Sequence, residues 1–272
     1  MQAVIEKIGR EIGVPYIDVV CYKEHEEVFR YTYAQKAMGN EQLYMYSCGK
    51  PITVVAALRL VEEGKMSLED KVCVYLPEVK NAFLINKQGE MECVGDKMTI
   101  RHLFTMSAGF TYDLATEPIL KLVKDSQGKA TLRAFIAKFV ETPLSFMPGE
   151  RFQYSLCHDV LAAVVEAITQ KKYSEYVKDV VFAPLQMAHS RFDNGETDML
   201  DMYKVNASGE IQKTNGDKLL IPTTAYESGG AGLVSTVDDY IRFADALACG
   251  GVASTVIKYC DKKPCKNLYP SN

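Results

Sequence analysis

Apolar residues crowd one stretch of the chain. Pro51-Ile52-Thr53-Val54-Val55-Ala56-Ala57-Leu58-Arg59-Leu60-Val61 carries a single charge. A helix apolar nearly all round is a buried one. Pro51 is tolerated in a first turn, where backbone donors lack partners. Gly64 is a natural stop just past the end. The pattern predicts a buried helix beginning near Ser47. Residues 159–169 repeat this apolar pattern, and residues 173–182 predict a further helix ending at Pro184. Residues 131–140 are amphipathic. Ser235-Thr236-Val237-Asp238-Asp239 caps a helix that Gly250-Gly251 stops. At the N-terminus Val4, Ile5, Ile8 and Ile12 share one face of a short amphipathic helix.

Strand signals are fewer. Residues 14–22 and 28–33 alternate apolar and polar around a polar turn, which predicts a hairpin. Residues 82–96 predict a short hairpin, and Thr99 caps a short helix through Phe104. Residues 185–220 are polar and loop-rich, with two further short hairpins. Pro148-Gly149 marks a turn. The glycines of Ser228-Gly229-Gly230-Ala231-Gly232-Leu233 mark a backbone that passes close to something.

The chain has 272 residues, enough for one large domain or two intimate ones. Its 47% hydrophobic and 24% charged content is that of a soluble globular protein. A net charge of −4 and no Lys/Arg cluster exclude a nucleic-acid surface. No apolar run is long enough for a membrane span. The N-terminus lacks the pattern of a signal peptide, so a cytoplasmic protein with reduced thiols is expected. Eight cysteines are present without a Cys-x-x-Cys. Four histidines are too few for a zinc pattern, so no metal or cofactor is expected. Cys260 and Cys265 are spaced like a pair but read as part of an unpaired polar tail.

Chemistry enters at Ser47-Cys48-Gly49-Lys50. Residues three apart share one face of a helical turn. A hydroxyl beside an ammonium at a helix N-terminus is a nucleophile arrangement. Ser126-Gln127-Gly128-Lys129 has the same spacing but reads as a turn. Ser107 lies in half of a nucleophile elbow, with Thr105 at the first glycine position, which argues against an α/β-hydrolase.

The order of these pieces resembles the serine β-lactamase and penicillin-binding-protein superfamily, in its class C, D-alanyl-D-alanine carboxypeptidase and family VIII carboxylesterase branch. Ser47-x-x-Lys50-Pro51-Ile52-Thr53 matches the nucleophile helix. Leu68-Glu69-Asp70-Lys71 and Tyr75-Leu76-Pro77-Glu78 match the segment after that helix. Thr99-Ile100-Arg101-His102-Leu103-Phe104-Thr105-Met106-Ser107-Ala108-Gly109 is similar to a further family segment, with Met106 in place of the usual His. Tyr154-Ser155 matches the second motif. Gly229-Gly230-Ala231-Gly232-Leu233 matches a later one.

The resemblance implies an α+β fold, a helical region packed on an antiparallel sheet. It implies that Ser47 is acylated, that Lys50 accepts its proton or supplies the charge that activates it, and that Tyr154 is a general base or acid that passes a proton to the leaving group. A neighbouring ammonium favours the phenolate form of such a tyrosine. The implied substrates are small esters, or β-lactams and D-alanyl peptides. Tyr154-Ser155-Leu156 departs from the Tyr-x-Asn of β-lactamases, because leucine cannot hydrogen-bond a substrate amide. Together with Asp159-Val160-Leu161 and Tyr112, it is similar to the esterases. Ester hydrolysis is therefore the expected activity.

The third motif of the family, which lies after the glycine segment, has no counterpart after Gly251. Lys213-Thr214-Asn215-Gly216 is close in letters but reads as a polar loop. The expectation is a family member lacking its C-terminal third, with residues 1–255 as the β-lactamase-like domain. Only the N-terminal strand pair of the sheet is then expected, and a second copy could complete it. Incomplete closure would leave a catalytically impaired relative or a binding module. Read one base earlier, codons for Val256 to Cys260 can encode Gly-Asn-Lys-Ile-Leu, which is family-like. Residues 256–272 are thus expected to be a frameshifted, non-homologous tail.

Overall fold

Helix α1 (Gln2–Ile12) ends at Gly13, whose φ of 74° is left-handed. Strands β1 (Tyr16–Lys23) and β2 (Glu26–Ala34) then form an antiparallel hairpin. Glu24 and His25 in its turn have φ of 52° and 71°, the twist that a tight hairpin turn requires. The computed structural model describes residues 1–34, 41–192, 199–214, 223, 225–251 and 253.

After β3 (Leu43–Tyr46) comes the buried helix α2 (Gly49–Glu62). Gly64 lies just beyond it with φ of 69°, as the stop signal predicts. Helix α3 (Val72–Tyr75) and a 3-10 turn at Pro77–Asn81 lead to the small hairpin β4 (Phe83–Ile85) and β5 (Met91–Cys93). Next are α4 (Ile100–Phe104), α5 (Glu117–Asp125) and α6 (Leu132–Phe139). The Thr99 N–H donates to His102 Nδ1 at 3.2 Å, closing the first turn of α4. Helix α7 (Cys157–Thr169) is followed by α8 (Tyr173–Val177), which widens into a π-turn at Lys178–Phe182. Strands β6 (Met202–Val205) and β7 (Ile211–Thr214) pair, then β8 (Leu233–Ser235) leads into α9 (Val237–Ala248).

The core is built around α7, in which every residue from Cys157 to Val165 is buried. It packs against α2, α3, α4, α6 and α8. Large aromatics fill the gaps. Phe135 meets Tyr226 edge-on at 4.6 Å between centroids, and Tyr173 meets Phe192 at 4.9 Å. The hairpin β1–β2 lies apart from this core, with α1 against it and α9 against β1. The chain thus mixes helices with small antiparallel sheets, as expected.

One expectation is corrected, and two further features were not read from the pattern. Ile5 is buried, but Val4, Ile8 and Ile12 are 59%, 42% and 53% exposed. The reason is the seat of α1 on β2: a Cβ on Gly9 would stand 2.5 Å from the Tyr33 ring, and Tyr31 donates to Glu6 at 2.6 Å. That contact turns Ile5, Glu6 and Gly9 inward and the apolar stripe outward. Helix α5 was not anticipated, although Pro118 suits its first turn. Lys213 and Thr214 belong to strand β7 rather than to a loop, and Lys213 pairs with Asp201 at 2.7 Å. Asn215 and Gly216 lie outside the described residues, as does the tail 256–272 with Cys260 and Cys265.

Candidate active site

Two strand–helix junctions build the site. Strand β3 pairs antiparallel with β8, placing Tyr46 opposite Leu233. Tyr46 has φ of 45°, a left-handed value uncommon outside glycine. This bend swings Ser47 off the strand before α2 begins. The Cys48 N–H returns to Met45 O at 3.0 Å and the Lys50 N–H to Ser47 O at 3.1 Å. Ser47 and Lys50 thus share the first turn, as their spacing predicts. Among the described residues the Ser47 N–H makes no hydrogen bond, so it is free to donate to an oxyanion.

Lys50 is 6% exposed. Its Nζ donates to Ser47 Oγ at 3.1 Å and to Gly230 O at 2.6 Å. The phenol oxygen of Tyr154 stands 2.6 Å from Ser47 Oγ on the open side of the site. Tyr154 is held by bonds on either side of it: Gln153 N–H to Met106 O at 2.9 Å and Leu156 N–H to Thr111 O at 3.2 Å. Its ring stacks on Tyr112, with centroids 5.5 Å apart and planes 28° apart. Lys50 Nζ stands 4.7 Å from the Tyr154 centroid and 5.4 Å from that of Tyr112. One cation therefore faces the serine, the phenol and two aromatic rings. Ser47 and Lys50, paired by their spacing, meet Tyr154 in one place.

The glycine segment passes close to this group. A Cβ on Gly230 would stand 2.5 Å from Asp159 Oδ2 and 3.5 Å from Lys50 Nζ. One on Gly229 would stand 2.5 Å from His158 O. Thr53, one turn beyond Lys50, donates to Gly229 O at 2.6 Å. Asp159 accepts from Tyr226 at 2.8 Å and from Ser228 at 2.6 Å, which ties the segment to α7. Sequence reading missed this anchor, treating Asp159 only as a helix start. The signal lay in a carboxylate on a helix otherwise apolar.

The electrostatics follow from burial. Burial pushes the Asp159 carboxyl above the usual range, while Ser228, Tyr226 and Lys50 draw it back. Burial, reinforced by Lys50, lowers His158 to about 4, so its ring is neutral at pH 7. Burial raises the Cys157 thiol to about 11, which removes it as a nucleophile. The second Ser-x-x-Lys has no such setting. Ser126 caps α5, donating to Val123 O at 3.2 Å and accepting from Ala130 N–H at 3.1 Å.

Comparison with known proteins shows the family and the fold. A family described as Beta-lactamase matches residues 1–256. Esterase EstB of Burkholderia gladioli is 29% identical over 239 residues, covering 79% of this chain and 59% of that protein. Protein Rv1367c of Mycobacterium tuberculosis is 27% identical over 254 residues, covering 90% and 60%. The chain thus spans about three fifths of the length of these curated relatives. Among solved structures, EstCE1, a hydrolase with promiscuous acyltransferase activity, overlays with a TM-score of 0.75 at 24% identity, covering 94% of this chain and 73% of that one. The octameric penicillin-binding protein homologue from Pyrococcus abyssi gives 0.70 at 22%, covering 94% and 57%. With the family matched over nearly its whole length, the chain belongs to the Beta-lactamase family.

Proposed function

We propose that this chain is a serine hydrolase that cleaves small esters through an acyl-enzyme. The observation that carries the reading is the position of Ser47 Oγ, within hydrogen-bond reach of both Lys50 Nζ and the Tyr154 phenol. Nucleophile, cation and proton carrier are the minimum set for acyl transfer. In the acylation step Ser47 Oγ bonds to the ester carbonyl carbon as its proton passes to the Tyr154 phenolate. Lys50 Nζ, 3.1 Å from Ser47 Oγ, is the positive charge beside the reacting oxygen, and the Ser47 N–H is the donor offered to the developing oxyanion. Collapse breaks the bond to the alkoxide, which takes the proton from Tyr154. Water repeats the sequence, releasing the acid and restoring Ser47.

Esters are favoured over β-lactams by Leu156. It is buried and apolar at the place where the family's lactam-processing members carry an amide side chain. The similarity to an esterase supports the same choice. A reducing cytoplasm is the compartment proposed, in keeping with the six free cysteines among the described residues. The reading takes residues 1–255 as the catalytic unit and residues 256–272 as a tail outside it. It also takes a second copy to cover the hairpin, where Val28 is 59% exposed. Light scattering that finds only monomer would remove that last element alone.

Intact mass spectrometry tests the core of the proposal. Incubation with p-nitrophenyl butyrate should add one butyryl group, at Ser47, and Ser47→Ala should abolish it. A stable penicillin adduct at Ser47 without ester turnover would favour β-lactam or D-alanyl peptide recognition. No adduct with either reagent would make the chain a non-catalytic relative.

A further inference from the structure

We propose that His25, Asp245 and Cys249 form a binding site for one divalent transition-metal ion of the zinc type. His25 sits in the β1–β2 turn, while Asp245 lies in the last turn of α9 and Cys249 just past it. Asp245 and Cys249 are four residues apart, so they share one face of that helix. The ligand atoms of all three lie within 4.8 Å of one another. No other described group of three His, Cys, Asp or Glu side chains converges in this way.

One separation matches that between a small cation's ligands, and the other would have to open. Tetrahedral bonds of about 2.0–2.3 Å put neighbouring donors roughly 3.3–3.8 Å apart. Cys249 Sγ stands 3.8 Å from Asp245 Oδ1. His25 Nδ1 stands 2.5 Å from Asp245 Oδ2, a separation that a bound ion would open by about 1 Å. Asp245 is already oriented, because Oδ1 also accepts the His25 backbone N–H at 3.2 Å. The Asp245 side chain is 7% exposed and that of His25 27%. The cluster is therefore sheltered but reachable.

The donor set selects the ion. An imidazole, a carboxylate and a thiolate suit zinc or cobalt, whereas calcium and magnesium take oxygen cages. On binding, the thiol loses its proton to solvent, and neutral His25 ligates through Nδ1 with its ring proton on Nε2, in place of the hydrogen bond to Asp245. No oxidation is involved. The fourth position is left for water. The ion would clip the hairpin turn to a helix 220 residues further along the chain, and would stabilise the fold by mass action. The alternative is a plain hydrogen-bonded latch of the same three residues.

Cobalt titration of the purified 272-residue chain separates these readings. The site should bind one equivalent with a thiolate-to-cobalt charge-transfer band and raise Tm. Cys249→Ser should remove the band. His25→Asn, which tolerates the left-handed turn, should weaken binding by more than about a hundredfold, beyond what a supporting partner costs. A Cys260→Ser/Cys265→Ser variant should keep the band. Unchanged p-nitrophenyl ester turnover and far-ultraviolet circular dichroism in each variant confirm folding. Failure to bind one equivalent, or a band that survives Cys249→Ser, would overturn the proposal and leave the latch.

Discussion

Lys50 Nζ donates to the carbonyl oxygen of Gly230, 180 residues away, at 2.6 Å. That bond links the nucleophile helix to the glycine segment and fixes the ammonium beside Ser47. A lysine in the first turn of a helix has several rotamers, and the carbonyl selects the one that faces the serine.

Removing the cation should therefore remove the chemistry with little loss of fold. Lys50→Met is expected to lower kcat/KM for p-nitrophenyl butyrate by about 10²–10⁴, the range for a positioned proton-transfer group. Stopped-flow measurement of the acylation burst checks it. An undiminished burst would exclude Lys50 from the step.

Tyr154 offers a cleaner substitution, because its ring is half exposed and stacked on Tyr112. Tyr154→Phe keeps the stacking and removes only the oxygen 2.6 Å from Ser47. Urea unfolding should shift by less than about 1 kcal/mol. Ester turnover should fall by about 10²–10⁴.

Gly230→Ala should be costly to stability and activity together. The new Cβ would stand 2.5 Å from Asp159 Oδ2, too close for a real contact. Overpacking of this kind costs about 1–3 kcal/mol, readable by urea denaturation. Displacing the Gly230 carbonyl also releases Lys50, so kcat should fall by more than the unfolded fraction explains.

Acid should destabilise the chain through His158. Its folded value of about 4 lies below the unfolded value of 6.5. Between the two, the unfolded state holds the extra proton, so stability rises with pH across that window. The contribution is full above about pH 6.5 and is lost on acidification toward pH 4, about 3 kcal/mol in all. Asp159 has the opposite sign, because its raised value favours the protonated folded form at low pH. His158→Gln should flatten the pH dependence of the urea midpoint. An unchanged slope would place the acid sensitivity elsewhere.

Much of this was readable from residue order. Ser47 and Lys50 are three apart on one helix, so the helical period alone places them together. Tyr154 required the order of motifs, since nothing local distinguishes it from a core tyrosine. Gly229 and Gly230 announced a close approach without saying to what. Val4, Ile5, Ile8 and Ile12 share a face of α1 as read, but periodicity states which residues share a face, not whether a neighbour covers it.

The amino-acid sequence by itself determined most of the helices, the N-terminal hairpin and the first turn that pairs Ser47 with Lys50. All depend on residues within a few positions of one another, where hydrophobic period, caps and glycine stops act. Only the tertiary structure decided that Asp159 anchors the glycine segment, that Gly230 aims Lys50, and that His25 meets Asp245 and Cys249. Those contacts join segments that are distant along the chain, and they exist only once α7, α9 and the hairpin have packed.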